Sequence, residues 1–230
     1  KSAEGLGLSP FPIPLAINFS EGLEPNCIWC NTCDGFPCKI EAKSDAVTSF
    51  LKPAFNYSTR VLTGANVTEI LHHGGKASGV KVYLRDEKKF KVLNSRAVIV
   101  SAGALYSPSI LLNSKINQDN ESGQLIGKNL MRHCNGIVGG VFTKKTNPQE
   151  IFHKQIAISD FYNNWRSMDD KAVGIIQDIY MPSEKVLRHH LPVYMKWTSF
   201  LRERIQNLLC VAEDEPQLQN CISLDNKATT

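Results

Sequence analysis

Apolar positions recur at two different periods along this chain. After Ser44 they fall at Ala46, Val47, Phe50, Leu51, Ala54 and Phe55, the spacing of one helical face. The spacing predicts a helix over 44–55, capped by Ser44 and kinked or ended by Pro53. Beyond residue 59 the pattern turns strand-like. Residues 60–63, 67–71 and 80–84 read as strands, with Gly74-Gly75 and Asp86-Glu87 as the turns, and Phe90 to Leu93 opens a further strand.

Residues 97–100 are a continuous apolar run, Ala97-Val98-Ile99-Val100. Such a run suits a strand buried on both faces, as in a parallel sheet. The small residues Ala102-Gly103-Ala104 predict a tight turn after it. Ser107 and Pro108 then suit the cap and first position of a helix through Ile110, Leu111 and Leu112. Residues 117–124 are polar and read as a loop, 136–143 as a strand, and 193–209 as one amphipathic helical stretch. The first 26 residues are rich in Gly and Pro. Pro10-Phe11-Pro12-Ile13-Pro14 must be extended, because each proline fixes φ. The element pattern as a whole is that of a mixed α/β (α+β) chain.

Composition is that of a globular protein, with 42% apolar and 21% charged residues. The net charge of +4 is scattered, and Lys88-Lys89-Phe90-Lys91 sits beside Asp86 and Glu87. That arrangement fits a solvated hairpin and argues against nucleic acid as a partner. No apolar run reaches the roughly 18 residues of a membrane-spanning helix. No basic segment followed by an apolar block marks a secretory signal. Sequons start at Asn18, Asn56, Asn66 and Asn120. The seven cysteines favour reduced thiols and a cytoplasmic setting over a disulfide framework.

Four stretches carry a family resemblance. The first is Val98-Ile-Val-Ser-Ala-Gly-Ala-Leu-Tyr-Ser-Pro-Ser-Ile-Leu-Leu-Asn-Ser-Lys-Ile116. The others are Ala65-Asn-Val-Thr-Glu-Ile70, Ile126-Gly-Lys-Asn-Leu-Met-Arg-His133 and Ala212-Glu-Asp-Glu-Pro-Gln-Leu-Gln-Asn-Cys-Ile-Ser-Leu224. In their order along the chain they resemble the glucose–methanol–choline (GMC) family of FAD-dependent oxidoreductases. The first is similar to the family's second signature, which normally finishes Ser-Gly-Ile-Gly. Here Ser114-Lys115-Ile116-Asn117 lacks both glycines, an expectation of a changed turn.

The resemblance implies part of a Rossmann-like FAD-binding domain with an antiparallel strand meander over residues 1–134. It implies part of a substrate domain, an antiparallel sheet with helices, over 135–230. Val67, Ala102 and Gly103 become the candidate cofactor-binding residues. A strand ending in small residues lets a ligand approach backbone, and the next helix points its positive end at that space. The implied reaction is oxidation of an alcohol or sugar CH–OH group by hydride transfer to FAD. The electron acceptor stays open.

No Gly-x-Gly-x-x-Gly loop follows a strand, and the family's catalytic histidine has no counterpart here. The chain is therefore expected to be an internal piece with no catalytic residue of its own. His133 falls in the matched loop and is expected to orient it. His72-His73 and His189-His190 read as surface pairs. Cys27, Cys30, Cys33 and Cys38 leave alternatives open: structural or disulfide-linked thiols, or a metal or iron–sulfur module, although the last gap is wrong for the iron–sulfur run. A non-catalytic remnant of the family is a further alternative.

Overall fold

The computed structural model describes residues 1–20, 22, 25–30, 37–118, 121–148, 155–163, 174–179, 189 and 192–225, without the side chains of 195–200. His190 and Cys33 lie outside the described residues. The chain divides into two compact units, each made of two separated segments. One unit holds residues 1–59 and 133–213, the other 60–132 and 214–230. Contacts thus divide the chain differently from the single boundary expected after residue 134.

The first unit carries a five-stranded antiparallel sheet. Its strands are β1 (Pro10–Pro12), β5 (Cys134–Val141), β6 (Ile156–Ile158), β7 (Gly174–Ile179) and β8 (Ile205–Ala212), in the spatial order β1-β6-β7-β8-β5. The N-terminal prolines do not merely cross a surface: they form an edge strand, paired Pro10 with Ile158 and Pro12 with Ile156. Ile13 donates its N–H to Gln155 at 2.9 Å. By the two-residue alternation of a strand, the nitrogens of Pro10 and Pro12 face outward, where no donor is needed. The buried Asp178 fastens the start of β6, its Oδ1 accepting the N–H groups of Gln155 and Ile156, both at 2.8 Å.

The expected helix over 44–55 exists in altered form. A wide π-type turn over Val47–Leu51 runs into α1 (Lys52–Ala54) and a 3-10 turn over Phe55–Tyr57. Pro53 has no N–H for an i→i−4 bond, which accounts for the irregular winding. Asp45, not Ser44, caps it: its Oδ1 accepts from Val47 and Thr48 at 2.9 and 2.8 Å. The helical reading of 193–209 is also corrected. A 3-10 helix spans Val193–Arg204, and β8 begins at Ile205, where β-branched and apolar residues pair with both β5 and β7.

The second unit carries the meander. β2 (Ala65–His73), β3 (Lys76–Leu84) and β4 (Lys89–Asn94) form a three-stranded antiparallel sheet in sequence order. Gly74 and Gly75 make the two-residue turn with φ of 55° and 74°, the double left-handed turn that matches strand twist. Ile70, Val82 and Leu84 are its buried apolar residues. Lys89 pairs with Glu87 at 2.5 Å, so the basic tip is a solvated hairpin.

Two expected strands do not pair. Residues 60–63 join no ladder. Residues 97–101 are likewise unpaired, and Ile99 is 89% exposed. A doubly buried strand needs neighbours on both edges, and no described strand lies in register with this one. The following helix α2 (Gly103–Asn113) starts five residues before the expected Pro108, with Ala102 as its cap in place of Ser107. Ser107 Oγ instead accepts the Ala102 N–H at 2.9 Å, and Pro108 lies inside the helix. The loop reading of 117–124 resolves into short 3-10 turns at Ile116–Gln118 and Glu121–Leu125. No described helix is long and apolar enough to cross a membrane.

Candidate functional site

The second unit brings the four matched stretches together. β2 is an edge strand, so its outer backbone groups need partners. The C-terminal end of α2 supplies them. Ser114 Oγ accepts the buried N–H of Ile70 at 2.7 Å and donates to Ile110 O at 2.6 Å. Asn113 Nδ2 donates to Thr68 O at 2.5 Å. The strand is interrupted at that point, because Val67 faces Val82 while Glu69 faces Lys81, which leaves Thr68 as the extra residue. His72 is not a free surface residue: its Nε2 donates to Ser114 O at 2.8 Å. A carbonyl only accepts, so that nitrogen carries the proton.

Lys115 follows with φ of 58°. A lysine thus occupies a left-handed conformation that glycine adopts more readily.

The other two stretches are laced to each other. Ile222 donates its N–H to Gly127 O at 2.8 Å, and Leu130 donates to Asn220 O at 2.9 Å. Arg132 N–H reaches Asp214 Oδ2 at 3.0 Å. Gly127 has φ of 79°, and a Cβ there would stand 2.9 Å from Ile222 O.

The candidate cofactor residues sit at opposite ends of α2. Val67 precedes the bulge that Asn113 holds, at the C-terminal end. Ala102 and Gly103 form the N-terminal end, about 16 Å away along an eleven-residue helix. Gly103 has φ of 84°, and a Cβ there would meet nothing within 4 Å. Space is thus open in front of a helix N-terminus, and Leu105 and Tyr106 beside it are exposed. Small residues and a glycine-type turn at a helix N-terminus fit an extended anionic group of the dinucleotide kind. An open depression of about 430 Å³ lies near the other end of α2, lined by residues that include Glu69, His72, Ser114, Lys115 and Gln118. Val67, Ala102 and Gly103 do not line it.

Residues 3–135 match the sequence profile described as GMC oxidoreductase. The chain belongs to the GMC oxidoreductase family. Among GMC relatives, paromamine 6'-oxidase of Streptomyces fradiae is 30% identical over 149 residues, which cover 61% of this chain and 27% of that protein. The 6'''-hydroxyparomomycin C oxidase of Streptomyces lividus is 25% identical over 238 residues, covering 97% of this chain and 41% of the relative. An uncharacterised GMC-type oxidoreductase of Mycobacterium tuberculosis is 30% identical over 142 residues, 62% of this chain and 20% of its own length. This GMC chain thus spans between a fifth and two-fifths of the length of these relatives. Pyridoxine 4-oxidase from Mesorbium loti is similar in structure at 18% identity and a TM-score of 0.48, over 74% of this chain and 34% of that one.

Sequence reasoning missed Asn113, Ser114 and the Thr68 bulge. The last Ser of the signature was a visible signal for one of them. Among the described residues no three of His, Cys, Asp and Glu gather into a metal-binding group. Tyr162 donates to Glu213 Oε1 at 2.5 Å, and that hydrogen bond and the carboxylate charge raise the phenol above its ordinary value.

Proposed function

We propose that this chain forms part of an enzyme that oxidises a CH–OH group of a sugar or another alcohol, with FAD as the acceptor of hydride. Membership of the GMC family carries this reading. Two relatives named as oxidases of paromamine and of hydroxyparomomycin C favour a sugar-like substrate. Bound FAD would supply the hydride-accepting ring. On this reading the chain's residues bind and orient it. The open N-terminal amides of α2 face its anionic part, Gly103 leaves room for close approach, and Val67 offers strand backbone near the far end. Asn113 and Ser114 hold α2 against β2 and so set the distance between those two ends. Residues 135–230 would contribute to the substrate domain.

Flavin binding by a gene product containing this chain is the test. Gly103→Leu places a large side chain in the left-handed turn facing the open space. It is expected to lower FAD occupancy at least about tenfold, read from the flavin absorbance of purified protein. Full occupancy in Gly103→Leu would remove Gly103 from the site. No flavin in the unsubstituted protein would overturn the functional reading itself.

A further inference from the structure

Four Asn-x-Ser/Thr triplets run along this chain, and the fold treats them differently. An asparagine in such a triplet accepts an oligosaccharide where its amide is reachable and the chain around it can bend into the transferring enzyme. Asn120 lies outside the described residues. Asn18, Asn56 and Asn66 can be compared in structure.

Asn18 is locked. It is half-buried, its Nδ2 donates to Pro25 O at 3.0 Å, and its Oδ1 accepts the Ser20 N–H at 3.1 Å. Its backbone is held as well: its N–H reaches Ala42 O and its carbonyl accepts the Cys27 N–H, both at 2.8 Å. Asn66 has an exposed side chain but sits inside β2, opposite Tyr83 of β3. The hydroxyl of its triplet is committed, because Thr68 Oγ1 donates to Lys81 O at 3.2 Å, and Asn113 holds Thr68 O from the α2 side. Freeing this triplet means breaking the sheet.

Asn56 is placed otherwise. It lies in the 3-10 turn Phe55–Tyr57 that ends the irregular helix, and Ser58 then turns left-handed with φ of 62°. Residues 55–64 are all exposed, and 59–63 join no ladder. Among the described residues, neither the Asn56 amide nor the Ser58 hydroxyl has a hydrogen-bond partner. Its neighbours Phe55 and Tyr57 are 51% and 83% exposed, and Phe50 is 75% exposed. Such rings leave apolar faces that the C–H faces of a sugar can cover.

We propose that Asn56 is the acceptor of an N-linked oligosaccharide wherever the gene product meets an oligosaccharyl transferase. The donor is an oligosaccharide carried on a lipid diphosphate. Nδ2 of Asn56 bonds to C1 of the first sugar, and the bond from C1 to the diphosphate oxygen breaks. The amide loses one proton, the lipid diphosphate leaves, and nothing is oxidised or reduced. The Ser58 hydroxyl, two residues on, is the group the enzyme reads. Attachment breaks no hydrogen bond among the described residues.

The test uses the folded 230-residue chain, a purified single-subunit transferase and its lipid-linked oligosaccharide, with a short Asn-Ala-Thr peptide in the same tube as a control. Mass mapping of the digested chain is expected to find Asn56 occupied at least about fivefold more than Asn18 or Asn66. Equal occupancy of Asn18 or Asn66 would overturn the selection by the fold. An empty Asn56 beside a modified control peptide would overturn the site itself. Ser58→Ala is expected to empty Asn56, and continued transfer to Asn56 in that variant would overturn the reading of the triplet.

Discussion

At Lys115 a long side chain occupies a backbone conformation that costs about 1 kcal/mol for a non-glycine residue. Lys115→Gly removes that cost, and chemical denaturation is expected to show a gain of up to about 1 kcal/mol. Gly127 gives the opposite sign. Its left-handed φ and the nearness of Ile222 O mean that Gly127→Ala should lose about 1–3 kcal/mol. Ser114→Ala would strand the buried N–H of Ile70, a loss of about 1–3 kcal/mol, with faster amide exchange at Ile70 as the local signature. Asp45 carries a pH dependence. The Thr48 N–H above all, with the Thr48 hydroxyl, the Val47 N–H and the Lys43 charge, outweighs a small burial effect and lowers its carboxyl. The unfolded carboxylate titrates at its ordinary, higher value, so the cap's contribution is complete above that range. It is lost as pH falls through the lowered folded value. Melts of Asp45→Ala and the unsubstituted chain should therefore differ near neutral pH and converge in acid.

Strand β2, helix α2 and the lacing of 214–225 onto 126–132 were legible to different degrees. The Gly74-Gly75 hairpin could be read because alternation and turn chemistry agree locally. The start of α2 could not, because Ser107 and Pro108 make a strong local cap signal. Gly103 and the Ser107 hydroxyl instead wind the chain five residues earlier. The 193–209 stretch misled because its apolar spacing suits a helix, while the last residues pair between two strands. Tertiary pairing overrides local pattern there. Val67, Ala102 and Gly103 came from the family motif rather than from periodicity; what the motif hid was that α2 separates them. The lacing carries its own expectation. A chain ending at residue 213 should exchange its Leu130 and Arg132 amides much faster, and adding a 214–225 peptide should slow them again.

For the whole molecule, each compact unit needs two separate stretches of chain. A cut at the single boundary after residue 134 would split the sheet of the first unit, parting β1 from β6. Residues 1–134 expressed alone should therefore show the β2-β3-β4 meander by circular dichroism and lack protection at Ile13, whose N–H needs Gln155. The prolines of β1 have a last consequence. The outward nitrogens of Pro10 and Pro12 cannot donate, so this rim of the sheet is a poor template for another strand. The opposite rim, β5, has Ile137 and Val138 exposed and no proline to blunt it. Among the described residues, strand addition to this sheet is therefore favoured at the β5 rim over the β1 rim. A charged residue at Ile137 or Val138 would blunt that rim as the prolines blunt the other.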